Sequence, residues 1–292
     1  MTSIDTPISA GAEVVCAGLV HVYTSEQGPV VALRNADLVV EAGEMLAIAG
    51  PSGSGKTTLM MLLAGLLQPT AGSVLIGGDD VTQLDAASLS RLRATELSLL
   101  LQDPLRNLLP YATVSQNISF AARGARRRGW SLRWSTEDLV QRMGLGELAG
   151  RPVYRLSAGQ QNRAAIASAL ATSPRVLLAD EPTGQLDPHS RDMVIGALRD
   201  ARELSGATVI VVTHELAVAE ALPRSLAIEN GAIGAEGRGA ERFAVVGGSG
   251  TIQLPPEALA RYPSGTLLTV DLDAGRIVLR AREDRSGEVG DA

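Results

Sequence analysis

The chain has 292 residues, a net charge of −6, and is 45% hydrophobic and 20% charged, enough apolar material for a sizeable globular core. The acidic balance argues against a general nucleic-acid binder, which carries a basic face. The one cysteine, Cys16, excludes an intramolecular disulfide and fits a reducing compartment.

In chain order, residues 1–12 read as a disordered N-terminus without the basic and apolar segments of a signal peptide. Residues 14–23 and 31–40 alternate apolar and polar positions and read as strands. EMLAIAG (44–50) is a short apolar run ended by glycine, the pattern of a buried strand. Residues 56–67 read as a helix stopped by Pro69. The longest apolar run, residues 59–67, has nine residues, whereas a membrane helix needs about 20. SVLIGG (73–78) and LSLLLQD (97–103) are further strands. From about 104 the texture becomes helical and arginine-rich, and 104–172 is taken as a helical insertion that ends in a helix over 158–172. Then follow a strand (175–180), a helix (189–204) and a strand (208–214). Strands alternating with helices imply parallel βαβ units. Residues 232–242 are rich in glycine, alanine and charge and read as a linker. Residues 243–282 hold three short strand-like runs and one helical patch, a small β-rich module. Residues 283–292 read as a disordered tail.

Of the 26 basic residues, 25 are arginine and one is lysine, Lys56. It sits in Gly50-Pro51-Ser52-Gly53-Ser54-Gly55-Lys56-Thr57, which matches G-x-x-x-x-G-K-S/T between a predicted strand and a predicted helix, the context this phosphate-binding motif requires. The glycines let backbone N–H groups converge, and the helix N-terminus favours an anion. Lys56 can reach the β- and γ-phosphates, Thr57 can offer its hydroxyl to Mg²⁺, and Thr58 continues the loop into the helix. RVLLADE (175–181) is an apolar strand that delivers two carboxylates at its tip. Asp180 is placed to hold the Mg²⁺ of a nucleotide and Glu181 to polarise a water for in-line attack. Alone, this pair also reads as a solvated acidic loop; after a phosphate loop it reads as the second half of a nucleotide hydrolase.

Three further features select a family. Leu156-Ser157-Ala158-Gly159-Gln160 opens a helix about 20 residues before the Asp180 strand and resembles the LSGGQ signature of ATP-binding cassette (ABC) ATPases. Gln102 ends LSLLLQD, where that family has its Q-loop. His214 ends TVIVVTH, where it has its switch histidine. Gly184-Gln185-Leu186-Asp187 resembles the D-loop. Residues 13–235 therefore resemble an ABC ATPase domain. The resemblance implies an α/β fold with a RecA-like P-loop NTPase sheet and an antiparallel β subdomain. It also implies ATP and Mg²⁺ as cofactors and a head-to-tail dimer with two ATP molecules buried between the copies. In such a dimer Ser157, Ala158, Gly159 and Gln160 face the γ-phosphate held by the other copy, and Asp187 bridges the two, caps its own helix, or does both. Ala158 stands where the family usually has glycine. Gln102 completes the shell of the Mg²⁺ and the water, His214 binds the γ-phosphate and orients the water, and Tyr23 stacks on adenine. A plain strand tyrosine is the alternative for Tyr23. His21 reads as a strand-face residue and His189 as a solvated helix start.

ADEPTGQLD (179–187), RNLLPYATVSQNI (106–118) and residues 43–78 resemble the lipoprotein-release, macrolide-export and cell-division ATPases. Gln185 departs from that group's asparagine. The likeness implies a permease partner with four membrane spans and a large extracytoplasmic domain. It also implies a peripheral place at the cytoplasmic face of the membrane, and export or extracytoplasmic mechanical work. A soluble ABC ATPase acting on DNA or ribosomes is the competing reading; against it stand one cassette and no long heptad run. A non-catalytic regulatory ABC protein would be expected to lack Glu181 or His214. Residues 243–282 resemble the swapped-hairpin domains of AbrB-type regulators, and equally a plain β-rich extension. Residues 241–292 carry six arginines against eight acidic residues, so a dimerising or regulatory role fits better than DNA binding. Arg123, Arg126, Arg127, Arg128 and Arg133 with Trp130 and Trp134 read as a solvated surface, or as a contact for anionic lipid or nucleic acid.

Overall fold

The computed structural model describes residues 11–26, 28–184, 186–239, 241–245, 252, 256–263, 266–273 and 276–281. The disordered ends expected from the sequence lie almost wholly outside these residues, as does Gln185. The chain divides into two compact units, residues 1–252 and 253–292.

The first unit opens with two long strands, β1 (Val14–Ser25) and β2 (Gly28–Val40), paired antiparallel. There follow β3 (Met45–Ala49), α1 (Lys56–Leu63), β4 (Ala71–Ile76), the two-residue β5 (Asp79–Asp80), α2 (Ala86–Thr95), β6 (Leu97–Leu100), α3 (Val114–Arg126), α4 (Thr136–Arg142) and α5 (Ala158–Leu170). The unit continues through β7 (Val176–Asp180), α6 (Pro188–Ser205), β8 (Thr208–Thr213), α7 (Leu216–Ala221), β9 (Arg224–Glu229), β10 (Ala232–Arg238) and β11 (Glu241–Ala244). Among the described residues, one sheet has the order β2-β1-β4-β5 and is antiparallel. The other has the order β11-β10-β9-β3-β8-β7-β6, parallel from β9 to β6 and antiparallel at the β9-β10-β11 edge.

β3 and β8 are buried along their whole length, as strands covered on both faces must be. Their period of two splits the core into two layers. Met45, Ala47, Ala49, Leu177, Ala179, Val209 and Val211 pack on α3, α4, α5 and α6. Leu46, Ile48, Leu178, Ile210 and Val212 pack instead on α1 and on the inner face of the antiparallel sheet, through Leu59, Leu62, Leu19 and Leu33. Among the described residues no helix is long and apolar enough to cross a membrane.

Several elements differ from their sequence reading. Helix α1 ends at Leu63, not Leu67. Gly65 takes φ +60°, with its amide on the Leu62 carbonyl (3.0 Å) and the Leu66 amide on the Met61 carbonyl (2.8 Å), which closes the helix four residues early. Residues 232–242 are not a linker: they form β10 and enter β11. The reason was present in the sequence. Asn230 and Gly231, at φ +49° and +80°, make a two-residue hairpin turn that sets Ala232 opposite Glu229. Helix α2 and strand β9 were unmarked, and the Gln102 strand stops at Leu100.

The second unit contains α8 (Pro256–Arg261) and a hairpin of β12 (Leu268–Asp273) and β13 (Arg276–Ala281). The helical patch and two of the three strand-like runs expected over 243–282 are these elements. The first run falls instead on β11, in the large sheet of the first unit. On one face of the hairpin Val270 pairs with Leu279 and Leu272 with Ile277, and all four are exposed.

Candidate functional site

The parallel strands align their carboxyl ends, where open α/β sheets place ligands. Ala49 stands beside Thr213, Asp180 beside Val212, and Leu100 beside Ala179. The residues that leave these ends are the phosphate loop, His214, Glu181 and Gln102.

In the loop Gly53 and Gly55 take φ +78° and +103°, values that L side chains rarely adopt. At Gly55 a Cβ would also sit 2.4 Å from the Ala32 carbonyl of β2. Lys56 is 6% exposed, and its Nζ donates to the carbonyls of Gly50 and Pro51, each at 2.8 Å. Two of its three N–H groups are thus engaged within the loop, which holds the ammonium in place over the arc of amides. Ser52 and Thr57 are exposed at the rim, and Ser54 is buried with its hydroxyl unpartnered. Thr58 is buried, and its Oγ1 lies 3.2 Å from the hydroxyl of Tyr23. The Tyr23 ring is therefore tethered to the first turn of α1.

At the tip of β7, Asp180 has an Oδ1 that is buried without a hydrogen-bond partner among the described residues. Burial first, and then the charge of Glu181, push its carboxyl above the ordinary aspartate value, while Lys56 acts in the opposite sense. Glu181 stands at φ +49°, a left-handed conformation that costs a non-glycine residue about 1–3 kcal/mol. It is held there by its amide on the Val212 carbonyl (2.9 Å) and by the Gly184 amide on its own carbonyl (3.0 Å). Its Oε2 lies 2.5 Å from Nδ1 of His214. The glutamate side chain is 13% exposed and the imidazole 52%. Gln102 joins the same group, since a Cβ on Gly184 would lie 3.4 Å from Gln102 Nε2.

Among the described residues there is no group of three or more His, Cys, Asp and Glu able to hold a metal. A divalent cation would rest on the Asp180 carboxylate, the Thr57 hydroxyl, the Gln102 amide and phosphate oxygens. That sparse, hard-oxygen set suits Mg²⁺, and the unpartnered Asp180 Oδ1 fits it.

The signature and D-loop residues form a second group. Ser157 caps α5, accepting from the Gln160 amide (3.3 Å) while its own amide donates to Gln160 Oε1 (3.0 Å). Ala158 is exposed beside it. Gly159 lies against Ser190, whose amide and hydroxyl donate to Asp187 at 3.1 and 2.6 Å. These hydrogen bonds hold the Asp187 carboxyl below the ordinary aspartate value. Among the described residues, no hydrogen bond of Ser157, Ala158, Gly159, Gln160, Ser190 or Asp187 reaches Lys56 or Glu181, whereas the D-loop residue Gly184 donates to the Glu181 carbonyl.

Two functional contacts escaped the sequence reading. Thr183, 1% exposed, donates to Glu215 Oε1 at 3.1 Å, and the Glu215 amide donates to Thr213 Oγ1 at 3.0 Å. This strut joins the loop after Glu181 to the loop after His214, and the only available signal was that each residue follows a motif. In the tryptophan–arginine segment, Arg123, Arg126, Arg127 and Arg128 are exposed, as the solvated-surface reading has them, whereas Arg133 and the two tryptophans make contacts outside the segment. Arg133 Nη1 donates to the Ser205 carbonyl (2.6 Å), Trp130 Nε1 to the Ser173 carbonyl (3.4 Å), and the Arg142 guanidinium lies 4.3 Å from the Trp134 centroid. His21, read as a strand-face residue, is buried with its ring against Tyr23.

Known proteins share this arrangement. The model of the family described as "ABC transporter" matches residues 33–184. The lipoprotein-releasing system ATP-binding protein LolD of Anaeromyxobacter dehalogenans is 41% identical over 72% of this chain and 88% of its own length. The macrolide export ATP-binding/permease protein MacB of Rhodopseudomonas palustris is 38% identical over 85% of the chain, which spans 37% of MacB. The methionine import ATP-binding protein MetN of Cereibacter sphaeroides is 40% identical over 70% of the chain and 57% of MetN. A dimeric ATP-binding cassette solved in a post-hydrolysis state bound to ADP and Pi superposes with a TM-score of 0.68 at 30% identity, covering 78% of this chain and 99% of that one. Fold, site geometry and relatives agree: the chain belongs to the ABC transporter family and is an ATP-binding, ATP-hydrolysing cassette.

Proposed function

We propose that this cassette is the motor subunit of an export-type transporter and hydrolyses ATP between two head-to-tail copies. The observation that carries the catalytic assignment is the Glu181–His214 contact at 2.5 Å beside Asp180. Lys56 and the amides from Ser52 to Thr57 bind the phosphates, and Tyr23 stacks on the base. Asp180, Thr57 and Gln102 would hold Mg²⁺, which when bound would supply positive charge against that of the phosphates. Glu181 accepts the proton of the attacking water. His214 steadies that carboxylate and turns its other ring nitrogen to the γ-phosphate. Phosphoryl transfer needs positioning and charge stabilisation more than covalent chemistry, and these residues supply both. The Ser157–Gln160 group and Asp187 are exposed or capped within their own copy, so they suit a partner's nucleotide.

The similarity to LolD and MacB supports a permease partner, here proposed as a four-span protein with a large extracytoplasmic domain, and a place at the cytoplasmic face of the membrane. It also supports release or export as the work done, with MetN as the importing alternative. The relatives are transporter ATPases, which does not support action on DNA or ribosomes. Glu181 and His214 are both present, which argues against a non-catalytic regulator. The test has two parts. Lys56→Ala removes the ammonium and is expected to abolish ATP binding measured by equilibrium titration; undiminished affinity would overturn the phosphate role. Reconstitution with a four-span permease is expected to raise ATP turnover above that of the isolated chain; an unchanged rate would count against this partner.

A further inference from the structure

We propose that His21 is a positioning residue that sets the plane of the Tyr23 ring and so the affinity for the nucleotide base. This rests on the reading of Tyr23 as the base platform. The Tyr23 hydroxyl is tethered to Thr58 Oγ1 at 3.2 Å. That bond lies on the axis about which the ring turns, so it fixes where the axis runs and not the plane of the ring. Tyrosine's second side-chain torsion is broad, and nothing in the tether narrows it. An off-axis neighbour must do so. The imidazole of His21 meets the Tyr23 ring with centroids 4.6 Å apart and planes at 81°, the edge-to-face geometry that aromatic pairs favour. Tyr23 remains 40% exposed, and an edge-on contact leaves at least one of its faces clear of the imidazole.

His21 is itself rigidly held. It is 8% exposed and pairs across the ladder with the fully buried Leu33. The β1–β2 register shifts on both sides of His21, the kind of irregularity that re-aims a side chain. At that level of β2 the Ala32 carbonyl and the Leu33 side chain lie against Gly55 of the phosphate loop, 2.4 and 3.0 Å from where a Cβ would stand. The base platform and the phosphate cradle are thus referenced to one stretch of β2. Among the described residues the Nδ1 of His21 is buried without a hydrogen-bond partner. A buried unpartnered nitrogen is unfavourable, so the ring's shape, not its polarity, is what this position uses.

The test is steady-state ATP hydrolysis by the full chain, with competitive inhibition by inorganic tripolyphosphate as the probe of the phosphate cradle alone. His21→Ala is expected to raise the KM for ATP about 3- to 10-fold, the range of an aromatic pair, while leaving kcat and the tripolyphosphate Ki unchanged. His21→Phe keeps a ring and is expected to restore the wild-type KM. His21→Leu keeps bulk without a ring and is expected to behave as alanine does, which covers the case in which the alanine variant fails to fold. An unchanged KM in both alanine and leucine variants, a raised KM in the phenylalanine variant, or an equal loss of ATP and tripolyphosphate binding would each overturn the proposal. Tyr23→Ala separates the two readings. If it leaves KM unchanged, the platform reading itself fails; if it raises KM, adding His21→Ala is expected to raise it no further.

Discussion

Glu181 is the most constrained residue of the site. Its left-handed backbone is fixed by hydrogen bonds to β8 and to Gly184, and its carboxylate meets His214 at 2.5 Å. Glu181→Gln keeps the shape and removes the base, so turnover should fall about 100-fold or more with ATP affinity retained, as single-turnover kinetics would reveal. Near-normal turnover would exclude Glu181 as the base. Asp180 carries a buried oxygen without a partner and a carboxyl raised by burial, so its charge works against the nucleotide-free fold. Asp180→Asn should therefore raise the melting temperature of the nucleotide-free protein while abolishing ATP hydrolysis; a lower melting temperature would mean the carboxylate is stabilising as it stands. Residues whose role is local were legible in the sequence. Lys56, Asp180 and Glu181 stand out because each lies in a fixed motif, at the start of α1 or at the end of β7. Thr183–Glu215 and His21–Tyr23 were not, since each depends on which side chains two separate segments bring together.

Elements were read well where the period was strong. Strands β3 and β8, buried throughout, β7, buried up to Asp180, and the long helix α6 lie close to where the apolar runs placed them. β10 and β11 were missed because glycine, alanine and charge resemble a linker, although Asn230-Gly231 is a hairpin turn. What fixes that edge is an ion network. Arg224, 12% exposed, meets Glu236 at 3.0 Å and Glu44 at 3.1 Å, and Arg238 also donates to Glu236. Burial alone would raise the Glu236 carboxyl, but hydrogen bonds from Arg224 and Arg238 bring it below 4.5. Folding thus favours its ionised form, and that stabilisation is complete above about pH 4.5 and lost as the pH falls through the folded value. Glu236→Gln should lower stability at neutral pH and flatten the acid limb of a denaturant-midpoint profile. An acid limb as steep as the wild type's would assign the loss to other carboxylates.

At the scale of the whole molecule, one copy contains two groups of candidate functional residues that share no hydrogen bond or ion pair among the described residues. Lys56, Asp180, Glu181, His214, Gln102 and Tyr23 gather at the strand ends, whereas Ser157, Gly159, Ser190 and Asp187 contact one another. Spacing along the chain does not say whether two motifs serve the same nucleotide, so only the resemblance to ABC ATPases led to the expectation of that separation from the sequence. A head-to-tail pair of copies resolves it by lending the second group to the partner's ATP, and it is the central claim of this account. Sedimentation of Glu181→Gln with and without ATP and Mg²⁺ tests it most directly. The account predicts a particle of the single-chain mass, 30.4 kDa, without nucleotide and of twice that mass with it, the doubling abolished by Ser157→Arg. A variant that binds ATP and stays at the single-chain mass would contradict it.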